Sequence, residues 1–322
     1  MPKFSINLPT KIAISVIIIA LLLIKMDFAV LKQAGQTIQA SAWMYAFILI
    51  CAQMFLQSLR WMLLINIGRH RMNFMDSLKT TLISAVANMA IISTLGGAVV
   101  RVAMALQHGA SLMKALFATM TDRIMTLAAL ILMATIFLPS LTVYVTPVFH
   151  RDVSIFIGVL VLLLFILTPL IVVFAAKRMP HINISKKHIA AAMRYMKILF
   201  SNNVLLTKIL TVSLLAQLCF FAAVYCIIVS AGIPLSFLQV MIVLPVIALI
   251  SSLPFTLGGW GIREGAFIYG LGLLGVPMET AFTVSVQIGL VGLLTTIIVG
   301  LPAFFTSHFS PFKAKSGYNE AS

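Results

Sequence analysis

Thr94-Leu95-Gly96-Gly97-Ala98-Val99-Val100-Arg101 and Thr256-Leu257-Gly258-Gly259-Trp260-Gly261-Ile262-Arg263 are two copies of one pattern, T-L-G-G-x-x-[VI]-R, each set in apolar surroundings. The likeness continues with a four-residue slip: Gly109-Ala110-Ser111-Leu112 and then Ala115-Leu116, against Gly275-Val276-Pro277-Met278 and then Ala281-Phe282. A glycine pair interrupting an apolar run breaks a helix, because glycine gives up the most backbone entropy on becoming helical. Each copy therefore reads as the turn of a helical hairpin.

The medium around these hairpins follows from composition. Of 322 residues, 61% are hydrophobic and only 9% charged, with a mean hydropathy of +1.12. Soluble domains need roughly a quarter of their residues charged to cover their surface. A water-soluble fold is excluded, and lipid is the solvent. A spanning helix takes about 20 apolar residues, so the chain holds eight to ten segments and leaves no room for a soluble catalytic domain.

Apolar runs at 11–30, 42–66, 80–95, 115–138, 153–176, 208–231, 236–257 and 281–305 are candidate helices, with shorter pieces at 98–112 and 260–275. Backbone groups in hydrocarbon must bond within their own segment, so these runs are helices or protein-buried broken helices. The fold class is an all-α polytopic membrane protein of about 8 transmembrane helices.

Lysine and arginine near segment ends set sidedness. The stretch 177–208 holds Lys177, Arg178, Lys186, Lys187, Arg194, Lys197 and Lys208 and reads as a cytoplasmic loop. Arg69, Arg71 and Lys79 place 66–79 inside. Lys3 and Lys11 do the same for the N-terminus, and Lys313 and Lys315 for the C-terminus. The stretches 139–152 and 231–236 are poor in base and read as outside. These assignments agree only if 80–114 and 236–280 each return to the side they entered. Three crossings separate the two hairpins, and an odd number inverts the second copy. The result is an inverted-topology repeat of two broken or re-entrant hairpins, with halves at about 76–138 and 236–305 of a single integral membrane domain, residues 1–322. Pro245 and Pro254 argue for a broken helix in 236–257, although that run is long enough to span.

The net charge of +15 fits basic loops facing anionic headgroups, and no nucleic-acid partner is expected. Cys51, Cys219 and Cys226 lie in apolar runs, and the six histidines are scattered. No metal site follows, and no disulfide framework. The chain has no phosphate-cradling glycine loop ending in Lys-Ser/Thr, so neither ATP nor any other cofactor is expected.

Chemistry concentrates in the few charges inside apolar runs. Arg101, Arg123, Arg263 and Glu264 stand where a central charge costs about 2.5–3.5 kcal/mol on insertion scales. They must be paired or face water. Arg101 and Arg263 follow their glycine pairs by four residues, one turn into the returning half-helix. Such an N-terminus offers free N–H groups and the positive end of its dipole to an anion, and arginine adds a fork suited to phosphate oxygens. Gly96, Gly97, Gly258, Gly259 and Gly261 permit close backbone approach. A site for a phosphate-bearing headgroup is expected where the two hairpins meet. The plainer reading pairs Arg263 with Glu264 or Asp122 and lets Arg101 snorkel to the cytoplasmic headgroups. Asp122-Arg123 reads as opening the helix after the first hairpin and forms either a structural pair or part of the site. Arg60-Trp61 reads as an interfacial anchor. Asn88, Ser251 and Ser252 either coordinate a ligand or bond between helices.

The run Pro254-Phe255-Thr256-Leu257-Gly258-Gly259-Trp260-Gly261-Ile262-Arg263-Glu264-Gly265 resembles the membrane domain of bacterial lysylphosphatidylglycerol synthetases and their stand-alone flippase-like relatives. The resemblance extends over nearly the whole chain, through an Arg-Trp ending helix two, an Asn before the first Gly-Gly hairpin and an Asp-Arg after it. It implies movement of lipids between leaflets of a bacterial cytoplasmic (inner) membrane, or a companion role in hopanoid or polyprenyl-linked sugar pathways. Carried over by position, Gly258, Gly259, Arg263 and Glu264 match the second hairpin, and Asn88, Gly96, Gly97, Arg101, Asp122 and Arg123 match the first half. Two departures weigh against a charge relay in the first hairpin. Ala98 stands where an acidic residue commonly follows the glycines, and no proline precedes the first turn.

The synthetases append a large cytosolic aminoacyl-transferase domain, which the short polar stretch after Phe305 does not supply. The chain is therefore not expected to be an enzyme. The expected function is a flippase-like lipid translocase with membrane lipids and an anionic lipid headgroup as partners. The alternative is a non-transporting lipid-binding partner of a separate glycosyltransferase or lipid-modifying synthase.

Overall fold

A computed structural model of the chain describes residues 39–68, 70–90, 95–141, 155, 158, 186–252 and 261–306. Expected segment 11–30, all of 153–176 but residues 155 and 158, the Gly258-Gly259 pair and both termini lie outside the described residues. Among those described, every regular element is helical: α1 (Ala40–Ile65), α2 (Phe74–Ala90), α3 (Leu95–Gln107), α4 (Leu112–Leu141), α5 (Lys186–Ser201), α6 (Asn203–Ser230), α7 (Phe237–Ser251), α8 (Ile262–Gly272), α9 (Met278–Thr295) and α10 (Leu301–Thr306). A π-helical turn, Thr296–Gly300, joins α9 to α10.

Among the described residues, four stretches are long and apolar enough to cross a bilayer: α1, residues Leu112–Phe137 of α4, α6, and Met278–Thr306 taken through the π turn. The chain is a multi-pass, all-α membrane protein. The hairpin helices are shorter. At 1.5 Å per residue, α3 with 13 residues rises about 20 Å and α8 with 11 about 16 Å, against a hydrocarbon core of about 30 Å. The two halves also repeat one order of lengths. Helices of 17, 13 and 30 residues in the first correspond to 15, 11 and a 29-residue stretch in the second.

The largest apolar cluster joins α1, α4 and α6 to α7, α8 and α9, with Phe221, Ile227, Leu244, Phe267 and Leu271 sealed from solvent. α1 packs along α6 over the most extensive helix contact, and α7 crosses against α4. A second cluster lies where α1 ends, α4 begins and α5 packs, around Trp61, Leu64, Ala115, Tyr195 and Leu199. Tyr195 Oη donates to Leu64 O at 3.2 Å, so the neighbourhoods of residues 64 and 195 share one end of the bundle.

Three expectations are corrected. α7 runs unbroken through Pro245 to Ser251, because a proline forfeits one hydrogen bond and neighbouring helices tolerate the loss in a membrane protein. Pro254 lies outside the described residues. The basic stretch 177–208 is not loop throughout, since α5 occupies half of it. Asp122-Arg123 does not open a helix. α4 begins at Leu112, which sets the pair about three turns inside, against the neighbouring helices.

The π turn meets the first hairpin. A Cβ on Gly300 would lie 2.8 Å from Val86 Cγ2 and 3.3 Å from Leu82 O. Glycine here lets the end of the second half press against α2.

Candidate functional site

A buried ionic cluster joins α1, α3, α4 and α6. Arg60 on α1 donates through Nε to Asp122 Oδ1 on α4 at 2.7 Å, and through Nη1 to Ser213 Oγ on α6 at 3.2 Å. Arg101 on α3 pairs with the other Asp122 oxygen through Nη1, and its guanidinium carbon lies 5.2 Å from the centre of the Trp61 ring. Arg60 is 3% exposed and Asp122 2%. Burying such charges costs several kcal/mol per ion unless the geometry returns it. One carboxylate shared between two guanidinium forks supplies that geometry.

Arg101 therefore does not snorkel to the headgroups. Arg60-Trp61 is likewise no interfacial anchor, since Trp61 is fully buried beneath Arg101. Sequence reasoning missed Arg60 as part of this cluster, although scarcity offered a clue. The whole chain holds only 7 acidic residues, so a buried arginine has few carboxylates to meet.

A cavity of about 120 Å³ opens beside the cluster, lined by Gln57, Arg60, Ser84, Asn88, Gly97, Arg101, Asp122 and Arg123 among others. Five positions singled out from sequence meet here: Asn88, Gly97, Arg101, Asp122 and Arg123. Gly96 is buried in the first turn of α3 beside them. The space exceeds what a single water needs, and its walls are polar. Three arginines against one aspartate leave an excess of positive charge, and Arg123 is the exposed member of the set.

The start of α3 is closed by the protein itself. Gly97 N–H donates to Asn88 Oδ1 at 2.7 Å, so a side chain from α2 occupies one of the N–H groups that a half-helix offers to an anion. A Cβ at Gly97 would fall 2.7 Å from the Asn88 amide and 2.8 Å from Ser84 O. Glycine is required by that approach.

The second half repeats the device with different chemistry. Glu264, fully buried, accepts the Gly261 N–H at the start of α8. Its Oε1 accepts from Arg263 Nε at 3.0 Å and Nη2 at 2.7 Å, and from Ser285 Oγ on α9 at 3.4 Å. Gly261 has φ of +92°, a left-handed conformation that glycine adopts without penalty. Arg263 thus pairs with Glu264 rather than Asp122, and its guanidinium lies on α9, where a Cβ at Gly289 would sit 2.4 Å from Nη2. Arg263 and Glu264 are not among the residues lining the cavity. Gly258 and Gly259 lie outside the described residues.

Ser251 and Ser252 both donate to carbonyls of α7, Ile247 O and Leu249 O, at 2.7 Å each, and serve the end of that helix. Among the described residues, no three His, Cys, Asp or Glu side chains gather as metal ligands.

The Arg-Glu of α8 and the Asn, Arg and Asp-Arg of α2, α3 and α4 are now placed in space. Residues 10–300 match the family described as the lysylphosphatidylglycerol synthase TM region. The chain belongs to this family. No curated protein matches it. Within this lysylphosphatidylglycerol synthase TM-region fold, the cavity and its arginines lie inside the matched span, as does the Arg263-Glu264 pair.

Proposed function

We propose that the chain is a lipid translocase that passes a phosphate-bearing headgroup, of an anionic phospholipid or a polyprenyl-phosphate-linked lipid, between leaflets while the tails stay in lipid. The observation that carries this reading is the polar cavity in which Arg60 and Arg101 converge on the single carboxylate of Asp122, with Arg123 on the same wall. A guanidinium has five N–H donors. Two of them share more donors than one carboxylate can accept, so phosphate oxygens find bonds without breaking the cluster. Arg123 makes the first contact. Asp122 holds the other two forks in place and lowers the charge the cavity must carry when empty.

The family name supports a lipid substrate, since a lysylphosphatidylglycerol synthase acts on a phospholipid. In this reading the protein is not itself an enzyme. It resides in a bacterial cytoplasmic membrane with both termini inside, and the second hairpin stands inverted to the first. Arg263 and Glu264 hold the start of α8, and a lipid-modifying enzyme supplies or consumes the headgroup.

Proteoliposomes carrying a headgroup-labelled lipid in one leaflet test the proposal. Transbilayer exchange above that of empty vesicles, with a proton gradient or without, and lost in Arg123→Gln, supports it. Labelled lipid that binds the cavity yet never changes leaflet overturns transport and leaves the lipid-holding partner of a separate synthase. No exchange and no binding for anionic, aminoacylated and polyprenyl-phosphate lipids alike overturns the site.

A further inference from the structure

α5 has a face that neither the core nor the cavity uses. It packs on α4 and α6 through Tyr195 and Leu199, which are 5% and 0% exposed. At about 100° per residue, the opposite side carries Phe200 and Met193 next to each other, then Lys197, then Arg194. Met193 is 63% and Phe200 55% exposed, and Arg194 and Lys197 are exposed as well. At the start of α6, Val204 is 65% exposed and Lys208 is exposed as well. No acidic residue occurs between Lys177 and Lys208.

α5 is not among the stretches able to span, so these apolar side chains do not face a bilayer core as part of a crossing. Its end of the bundle is also the basic one. Tyr195 bonds Leu64, next to the turn that bears Arg71. Large apolar side chains flanked by bases, on a short helix at the basic end of a membrane protein, match one surface. That surface is a leaflet with acyl chains at one level and phosphates just above.

We infer that α5 lies along the leaflet at this end and binds anionic lipid through Lys197 and Arg194, with Met193 and Phe200 inserted at the acyl boundary. The occupant is the lipid surface itself, chosen by charge complementarity. Each base near such a surface favours it roughly fivefold at low screening. The inference depends on the membrane fold and not on the transport reading.

The test uses the full chain with Cys51, Cys219 and Cys226 replaced by Ser and a single fluorophore placed through Met193→Cys or Phe200→Cys. Nanodiscs contain phosphatidylcholine alone or mixed with phosphatidylglycerol. Quenching by acyl-chain doxyl lipid should exceed quenching by aqueous acrylamide and rise several-fold with phosphatidylglycerol. Arg194→Gln with Lys197→Gln should cancel that rise, as should high salt. Acrylamide access in every composition overturns the inference. So does doxyl quenching indifferent to phosphatidylglycerol. Protection from both quenchers overturns it too, since a protein surface, from a second copy or another chain, would then cover the face.

Discussion

Arg60 Nε donates to Asp122 Oδ1 at 2.7 Å across 62 residues of sequence, and the same aspartate holds Arg101. Three helices are tied through one carboxylate. Removing it leaves two buried guanidinium groups facing each other. Asp122→Asn should therefore destabilise the protein by about 3–5 kcal/mol, read as a lowered Tm in detergent. Replacing the cluster together, as Arg60→Met, Arg101→Met and Asp122→Leu, should recover most of that stability while abolishing headgroup capture. A single variant as stable as wild type would show that the cluster carries no charge balance.

Arg123 makes the opposite prediction. It is the exposed arginine of the cavity, and no carboxylate among the described residues lies within salt-bridge distance of it. Arg123→Gln should change stability by no more than about 0.5 kcal/mol, as expected for a side chain outside the packed core. The charge-assisted bond it offers a phosphate is worth about 1.5–3 kcal/mol, so lipid exchange or binding should fall at least tenfold. Equal loss of folding and exchange would reassign Arg123 to the structure.

By sequence Gly96-Gly97 reads as a turn, but the pair forms the first turn of α3 itself, because the close approach of Asn88 and Ser84 asks for glycine there without breaking the helix. Gly258-Gly259 lie outside the described residues. The membrane class followed from composition alone. Two kinds of information were not local. Asn88 caps Gly97 from the neighbouring helix, and Arg60 finds Asp122 across 62 residues. Nothing in the spacing of either pair distinguishes a cap from a ligand, or a buried fork from an interfacial anchor. Pro245 misled for a related reason. The rule that proline breaks a helix is calibrated on exposed backbone, whereas α7 is enclosed by α4, α6 and α8. Arg263-Glu264 was the easier case, because adjacent residues of opposite charge in an apolar setting have each other as the nearest partners.

Gly289 should prove sensitive to size because of the arginine it faces. A Cβ there would lie 2.4 Å from Arg263 Nη2 and 2.8 Å from Cζ, closer than atoms can pack. Gly289→Ala should shift the guanidinium on Glu264 and cost about 1 kcal/mol, the low end of overpacking, because the end of a flexible side chain is what must move. Arg263→Ala alone should also destabilise, by leaving Glu264 buried without its cation. The two changes together should cost less than their sum, because the added methyl fills space the guanidinium has vacated. Strict additivity in a double-mutant cycle of Tm values would disprove the contact.

His70 supplies the pH dependence. It lies in the turn after α1, outside the spanning helices, and its Nε2 is buried without a hydrogen-bond partner among the described residues. Burial pushes its pKa below the usual 6.5, and the nearby positive charges of Lys114, His108 and Arg71 push the same way. The neutral ring is the form the fold accepts. The unfolded chain has no such penalty and takes up the proton more readily, so it binds more protons than the native state in the window below 6.5. Stability should rise with pH through that window. It should be fully present above 6.5 and be lost as pH falls toward the lowered native value. Thermal unfolding of the detergent-solubilised protein from about pH 5 to 8 should show that loss, spanning the range in which histidine titrates. His70→Gln should flatten the profile. A variant with the same slope as wild type would assign the effect to other groups.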